Sequence, residues 1–165
     1  MSSIREQLAV RAVTLLNTGT PAGVPATARG SIASVDRATA PAIRCRMASD
    51  TCSPLFRQRT VPGKEFDEGP PLNQLPGSPI VRHLELHVEC AAYGTAAVSA
   101  QEATDPLTKW VEKALGSANW KDIALACGLV GTRFDDAGED MSACKATAVY
   151  RITYITKAGD PEAGK

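Results

Sequence analysis

The stretch Pro79–Gly94, PIVRHLELHVECAAYG, decides the fold. Its even positions are Ile80, Arg82, Leu84, Leu86, Val88, Cys90 and Ala92; its odd positions include His83, Glu85, His87 and Glu89. A period of two over this length predicts one long β-strand with an apolar face in a core and a polar face toward water or a partner. Such a strand, followed by a polar break and a helix, suits a protein that works through its surfaces.

The flanking segments supply the rest of a sheet and two helices. Residues 3–16 predict a helix: Ser3 and Glu6 have capping-box spacing, and Ile4, Leu8, Val10, Val13, Leu15 and Leu16 make a broad apolar stripe. Asn17 to Pro21 ends it. A weak extended signal follows over Thr27–Val35, then a turn over Asp36–Pro41. Pro41–Met47 alternates, with Ile43, Cys45 and Met47 on one face and Arg44 and Arg46 on the other. C-terminal to the long strand, Asp105-Pro106 is a good helix opening, and a start near Ser99 with Pro106 inside the helix is the alternative. Leu107, Trp110, Val111, Ala114 and Leu115 mark its buried face, and Gly116 ends it. Trp120–Cys127 is ambiguous. Leu129–Phe134 reads as a strand, Asp135–Asp140 as a turn, and Ala143–Thr156 as a last strand with Cys144, Ala146, Ala148, Tyr150, Ile152 and Tyr154 on one face.

Between Ala48 and Ser78 no period appears, and five prolines fall there. Structureless loops beyond about 12–15 residues are uncommon inside compact domains. The expectation is a single α+β domain over residues 1–156, with one mostly antiparallel sheet of roughly four to five strands and both helices on one face. A long irregular arm is expected at 48–78, and a polar tail at 157–165.

Composition narrows the function. The 165 residues carry 18 Lys+Arg against 18 Asp+Glu, without the basic excess of a dedicated nucleic-acid binder. Five cysteines at irregular spacings, with no C-x-x-C pair, fit reduced thiols in the cytoplasm. The charged start MSSIREQLAV is not a signal peptide, and no apolar run has membrane-spanning length, so a soluble, non-exported chain is expected.

Motifs for chemistry are sparse. His83 and His87 are spaced like the ligands of H-E-x-x-H, but that motif needs a helix. On a strand the two rings stand about 13 Å apart, too far for one zinc ion. A site using His83 with Glu85, or with a partner chain, stays open. Cys45, Cys90 and Cys144 fall on apolar strand faces, where cysteine behaves as a small hydrophobe, and Cys52 is the expected exposed thiol. Phosphate-binding, dinucleotide and nucleophile-elbow motifs are absent from the sequence, and no metal, cofactor or catalytic residue is expected. The acids at Asp135-Asp136 and Glu139-Asp140 read as a solvated turn. Arg44 and Arg46, with Arg29 and Arg37 nearby, make a locally basic face that fits either DNA phosphates or cross-strand ion pairs with Glu85 and Glu89.

Taken in order, SIREQLAVRAVTLL, the Pro41–Ile43 strand, RHLELHVECAAYG running into a helix ending VEKAL, GLVGTRFDDAGED and KATAVYRITYIT resemble the tail terminator proteins of long-tailed bacteriophages. In that family a strand ending in Gly-Thr with an aromatic and acids precedes a last strand of alternating aromatics. Gly131-Thr132-Arg133-Phe134-Asp135 and Tyr150 to Tyr154 occupy those places. Order and spacing carry the likeness over most of the chain, and the 48–78 segment departs from it. The resemblance implies a non-enzymatic virion protein. Its partners would be its own copies in a ring, expected to be a hexamer, the tail-tube protein, and the head-tail connector or neck protein. DNA would pass the lumen only as cargo, with no membrane involved. Arg57, Arg59, Lys64, Glu65, Asp67 and Glu68 are then candidate subunit or tube contacts. Arg44, Arg46, His83, Glu85, His87 and Glu89 are candidate lumen-facing or partner-facing positions. Alternatives are a head-side neck or head-completion protein, a small cytoplasmic enzyme with an unrecognised site, and a binding module using the Pro-rich arm.

Overall fold

The computed structural model describes residues 2–35, 40–53, 77, 79–137 and 142–160. Seven elements follow in order: α1 (Ile4–Asn17), β1 (Thr27–Arg29), β2 (Ala42–Ser53), β3 (Pro79–Tyr93), α2 (Ala100–Gly116), β4 (Ala126–Ala137) and β5 (Ala143–Lys157). The strands form one five-stranded sheet in the order β1-β2-β3-β5-β4. All neighbours are antiparallel except β1 and β2, which run parallel, so the sheet is mixed. The fold is α+β.

Both helices lie on one face of the sheet. Leu84, Leu86, Val88, Cys90 and Ala92 of β3 and Ala146, Ala148, Tyr150, Ile152 and Tyr154 of β5 pack against Leu8, Ala12 and Leu16 of α1 and Leu107, Val111 and Leu115 of α2. The alternation read from Pro79–Tyr93 and Ala143–Thr156 therefore has the correct phase. Two indole N–H groups fix the helices: Trp110 Nε1 donates to the Leu16 carbonyl at 3.1 Å, and Trp120 Nε1 to that of Leu115 at 3.2 Å.

The helix starts differ in chemistry. Ser3 caps α1 by accepting from the Glu6 amide, but the Glu6 carboxylate turns to Arg29 of β1 at 2.6 Å and does not close the predicted box. That hydrogen bond to Arg29 holds the Glu6 carboxyl below the usual carboxylate range. Val10, counted in the apolar stripe, is exposed, and Ala9 and Ala12 are buried in the helix. α2 takes the earlier of its two starts. Ser99 and Glu102 form a full capping box, and Pro106 sits inside the helix on its exposed side. Just before it the chain passes very close to itself: a Cβ on Gly94 would stand 2.8 Å from the Ala100 amide nitrogen.

Four strand boundaries correct the sequence reading. β1 covers only Thr27–Arg29 of the extended signal. It is fixed by Asn17, whose side-chain amide both accepts from the Thr27 N–H (2.7 Å) and donates to its carbonyl (3.0 Å). β2 continues six residues past Met47, into the segment assigned to the arm. A bulge between Met47 and Ser49 inserts Ala48 and reverses the face of every later side chain, which erased the period. β4 runs through Asp135 and Asp136, assigned to a turn, with its own bulge at Val130. The last strand takes in Lys157, and a turn bridges Lys157 to Asp160. Residues 54–76, most of the expected arm, and 161–165 lie outside the described residues.

Candidate functional site

The sheet face opposite the helices is the most chemically loaded surface of the described chain. Register places Arg44, Arg46, Ser49 and Thr51 of β2, His83, Glu85, His87 and Glu89 of β3, Lys145, Thr147, Arg151 and Thr153 of β5 and Arg133 and Asp135 of β4 on it. All six strand positions predicted to face a lumen or partner fall here.

A chain of polar contacts runs along its middle. His87 Nδ1 stands 3.0 Å from Arg46 Nη2, and His87 Nε2 stands 2.8 Å from Glu85 Oε1. A guanidinium only donates and a carboxylate only accepts, so the ring carries its proton on Nε2 and accepts at Nδ1. Arg46 Nε also donates to Glu89 Oε1 at 3.2 Å, and the Ile32 amide donates to Glu89 Oε2 at 2.6 Å. His83 turns the other way, with Nδ1 3.1 Å from Thr153 Oγ1. The two histidines thus have separate partners. Among the described residues no three His, Cys, Asp or Glu side chains are grouped to hold a metal ion.

Glu89 corrects the reading of a uniformly solvated face. It is 4% exposed. Residues 31–35 cross over this end of the sheet, with the Tyr93 hydroxyl donating to the Val35 carbonyl at 3.1 Å, and Glu89 satisfies the Ile32 amide they would otherwise bury unpaired. An open cleft of about 220 Å3 lies between residues 31–35 and Ala42, Arg44 and Ala91. Ser31–Val35 has no period, so nothing in the sequence announced this cover.

The basic contribution sorts into spent and unspent charge. Arg46 is paired with Glu89, and Arg133 with Asp135. Arg29 points to the helix side, where it grips Glu6, and does not join the basic face. Arg44 bonds only the Ile43 carbonyl, and Arg44, Lys145, Arg151 and Lys157 have no ion pair, leaving four free cations on the polar face among the described residues. Arg37, and the predicted contacts Arg57, Arg59, Lys64, Glu65, Asp67 and Glu68, lie outside the described residues.

Four of the five thiols are held in the protonated form by their surroundings. Burial pushes Cys45 and Cys90 up to about 12 and Cys127 up to about 11, and it raises Cys144 as well. All five are free, and Cys52 is exposed, though on β2 and not in a loop.

A second polar cluster, missed from sequence, lies where the sheet projects past α1. Asp50 of β2 accepts from Arg82 of β3 and from the Tyr154 hydroxyl of β5, with Arg5 of α1 at 3.8 Å. Only the bulge at Ala48 brings Asp50 to this side. Among the described residues, no helix is long and apolar enough to cross a membrane. No protein-family model matches the chain, and no curated protein matches it.

Proposed function

We propose that this chain is a capping subunit of a phage tail, acting as tail terminators do. Copies form a ring on the last ring of tail-tube subunits, end tube growth, and present the docking face for the head-side neck protein, at the head-proximal end of the tail. DNA crosses the lumen as cargo. One observation supports this above the others: a continuous sheet face with cations at Arg44, Lys145 and Arg151 that are free among the described residues, set in a framework of paired charges. A low density of free positive charge retains water and counterions beside a phosphate backbone without the firm grip a dense basic patch gives. That suits passage better than capture. The order of elements, with a β4–β5 hairpin closing the chain, agrees with the likeness noted in the sequence.

The test is tube assembly. Tail-tube protein from the same genome is polymerised with and without this chain, and the products are viewed by electron microscopy. Tubes of limited length, with this protein at one end only, are expected. Tubes of unchanged length distribution that bind none of it would overturn the proposal.

A further inference from the structure

The sheet face opposite the helices concentrates positive charge in a chain that has none overall. On its described strands six lysines and arginines stand against three carboxylates, while the whole chain has 18 of each sign, so the rest of the chain carries an excess of acids. The three carboxylates are spent. Glu89 holds Arg46, Glu85 holds His87, and Asp135, opposite Lys145 in the register, turns to Arg133. The cations left over are Arg44, Lys145, Arg151 and Lys157.

Three of these four form a row. Lys145, Arg151 and Lys157 recur on β5 at even intervals of six residues, so all three point to one face. At the rise of a β-strand each interval is about 20 Å, and the row is about 40 Å long. Arg151 and Lys157 are exposed, and Lys145 is partly exposed. β5 is paired with β3 over its whole length, which holds the row in place. Arg44 stands two strands to the side, about 10 Å away, and is outside the row.

A widely spaced, rigid row of cations fits a stiff, continuous polyanion. Duplex DNA carries a charge about every 1.7 Å of its axis, so each cation meets a phosphate whatever the base sequence. Its persistence length of about 150 bp lets it lie along all three cations without the ordering cost that a flexible acidic polypeptide pays. Single strands are bound by stacking bases on aromatic rings. On this face the described strands carry no phenylalanine or tryptophan, and their one tyrosine, Tyr93, is tied to the Val35 carbonyl.

We propose that β5 is a track for duplex DNA, with the duplex lying along the strand and held by counterion exchange at Lys145, Arg151 and Lys157. The inference rests on the ring reading for the DNA that it meets, and it adds the orientation of the subunit: β5 runs along the lumen, and DNA passes lengthwise over it.

The experiment follows binding of the full chain to fluorescently labelled duplexes of unrelated sequence, by anisotropy, at a series of low salt concentrations. Weak binding that ignores base sequence is expected, with the logarithm of the association constant falling against that of salt at a slope of about −3, one for each cation. Lys145→Gln, Arg151→Gln and Lys157→Gln should each reduce that slope by about 1, and the triple variant should not bind. A control with the same loss of charge on or just after α2, Lys109→Gln, Lys113→Gln and Lys121→Gln, all exposed, should bind as the unaltered chain does. Thermal melting checks that both triple variants fold. Absence of binding at the lowest salt overturns the proposal, as does an equal loss in the control. Tighter binding of single-stranded DNA, or equal binding of polyglutamate, overturns the assignment to duplex DNA. A chain that fails this test yet caps tubes overturns the track and leaves the capping reading standing; one that binds duplexes through β5 but caps no tube does the reverse.

Discussion

The Tyr154 hydroxyl donates to Asp50 Oδ2 across 3.0 Å, joining two strands that are not neighbours in the sheet. Between them Arg82 donates to both oxygens of the same carboxylate, at 3.3 and 2.9 Å. Asp50 is therefore the acceptor for a partly buried cation and a buried phenol. Removing it leaves both unpaired. Asp50→Ala should destabilise the protein by about 2–3 kcal/mol, and Asp50→Asn, which keeps an acceptor oxygen, by about half of that. Urea denaturation of the three proteins checks the order. An equal loss for both variants would show that only the charge matters.

Two acids on the same face of β3 should behave differently. Glu85 is partly exposed and among the described residues bonds only His87, so Glu85→Ala should change stability by less than about 0.5 kcal/mol. Glu89→Ala strands the Ile32 amide and breaks the Arg46 ion pair, leaving Arg46 only His87, and should cost about 2 kcal/mol. Leu86, fully buried between them, should not tolerate aspartate at all, since a carboxylate there has no partner. Melting transitions of the three variants read this directly, and a Glu89→Ala protein as stable as Glu85→Ala would show that residues 31–35 do not hold their position over the sheet.

These contrasts also mark how far sequence reaches. The long strands were legible because both faces of β3 and β5 keep strict alternation over their central stretches, and the core was legible with them. The bulge at Ala48 was not, because one extra residue changes the phase without leaving a motif. It hid half of β2 and the Asp50 cluster. Glu89 was misjudged for another reason: its cover comes from Ser31–Val35, distant in sequence and without pattern. The start of α2 was legible only as two alternatives, which the capping box at Ser99 and the burial of Ala100 and Thr104 decide.

Alkaline pH should unfold the protein through its tyrosines. Burial is the main cause that raises Tyr150 and Tyr154 far above the ordinary phenol value, and among the described residues the Tyr150 hydroxyl has no hydrogen-bond partner. The folded state then holds protons that the unfolded chain releases near its ordinary pKa of about 10. Stability from this source is complete below that pH and falls as pH rises through and beyond it. Phenolate absorbance for these two groups should appear together with loss of the circular-dichroism signal. Smooth ionisation of all three tyrosines in a still-folded protein would contradict their burial.

The thiols supply a test of register that requires no substitution. Cys45, Cys90 and Cys144 sit on the helix face of their strands at 1% exposure or less, and burial holds all three in the protonated form. Cys52 is exposed beyond the end of the core, on a strand whose phase the bulge has reversed. A maleimide added to native protein should therefore modify Cys52 first. Cys127, half-buried on the helix face of edge strand β4, should follow slowly, and the remaining three should react only on unfolding. Peptide mapping by mass spectrometry after timed quenching gives the order. Early modification of Cys90 or Cys144 would mean that the faces of β3 and β5 are exchanged, and with them the face that carries Arg44, Lys145 and Arg151.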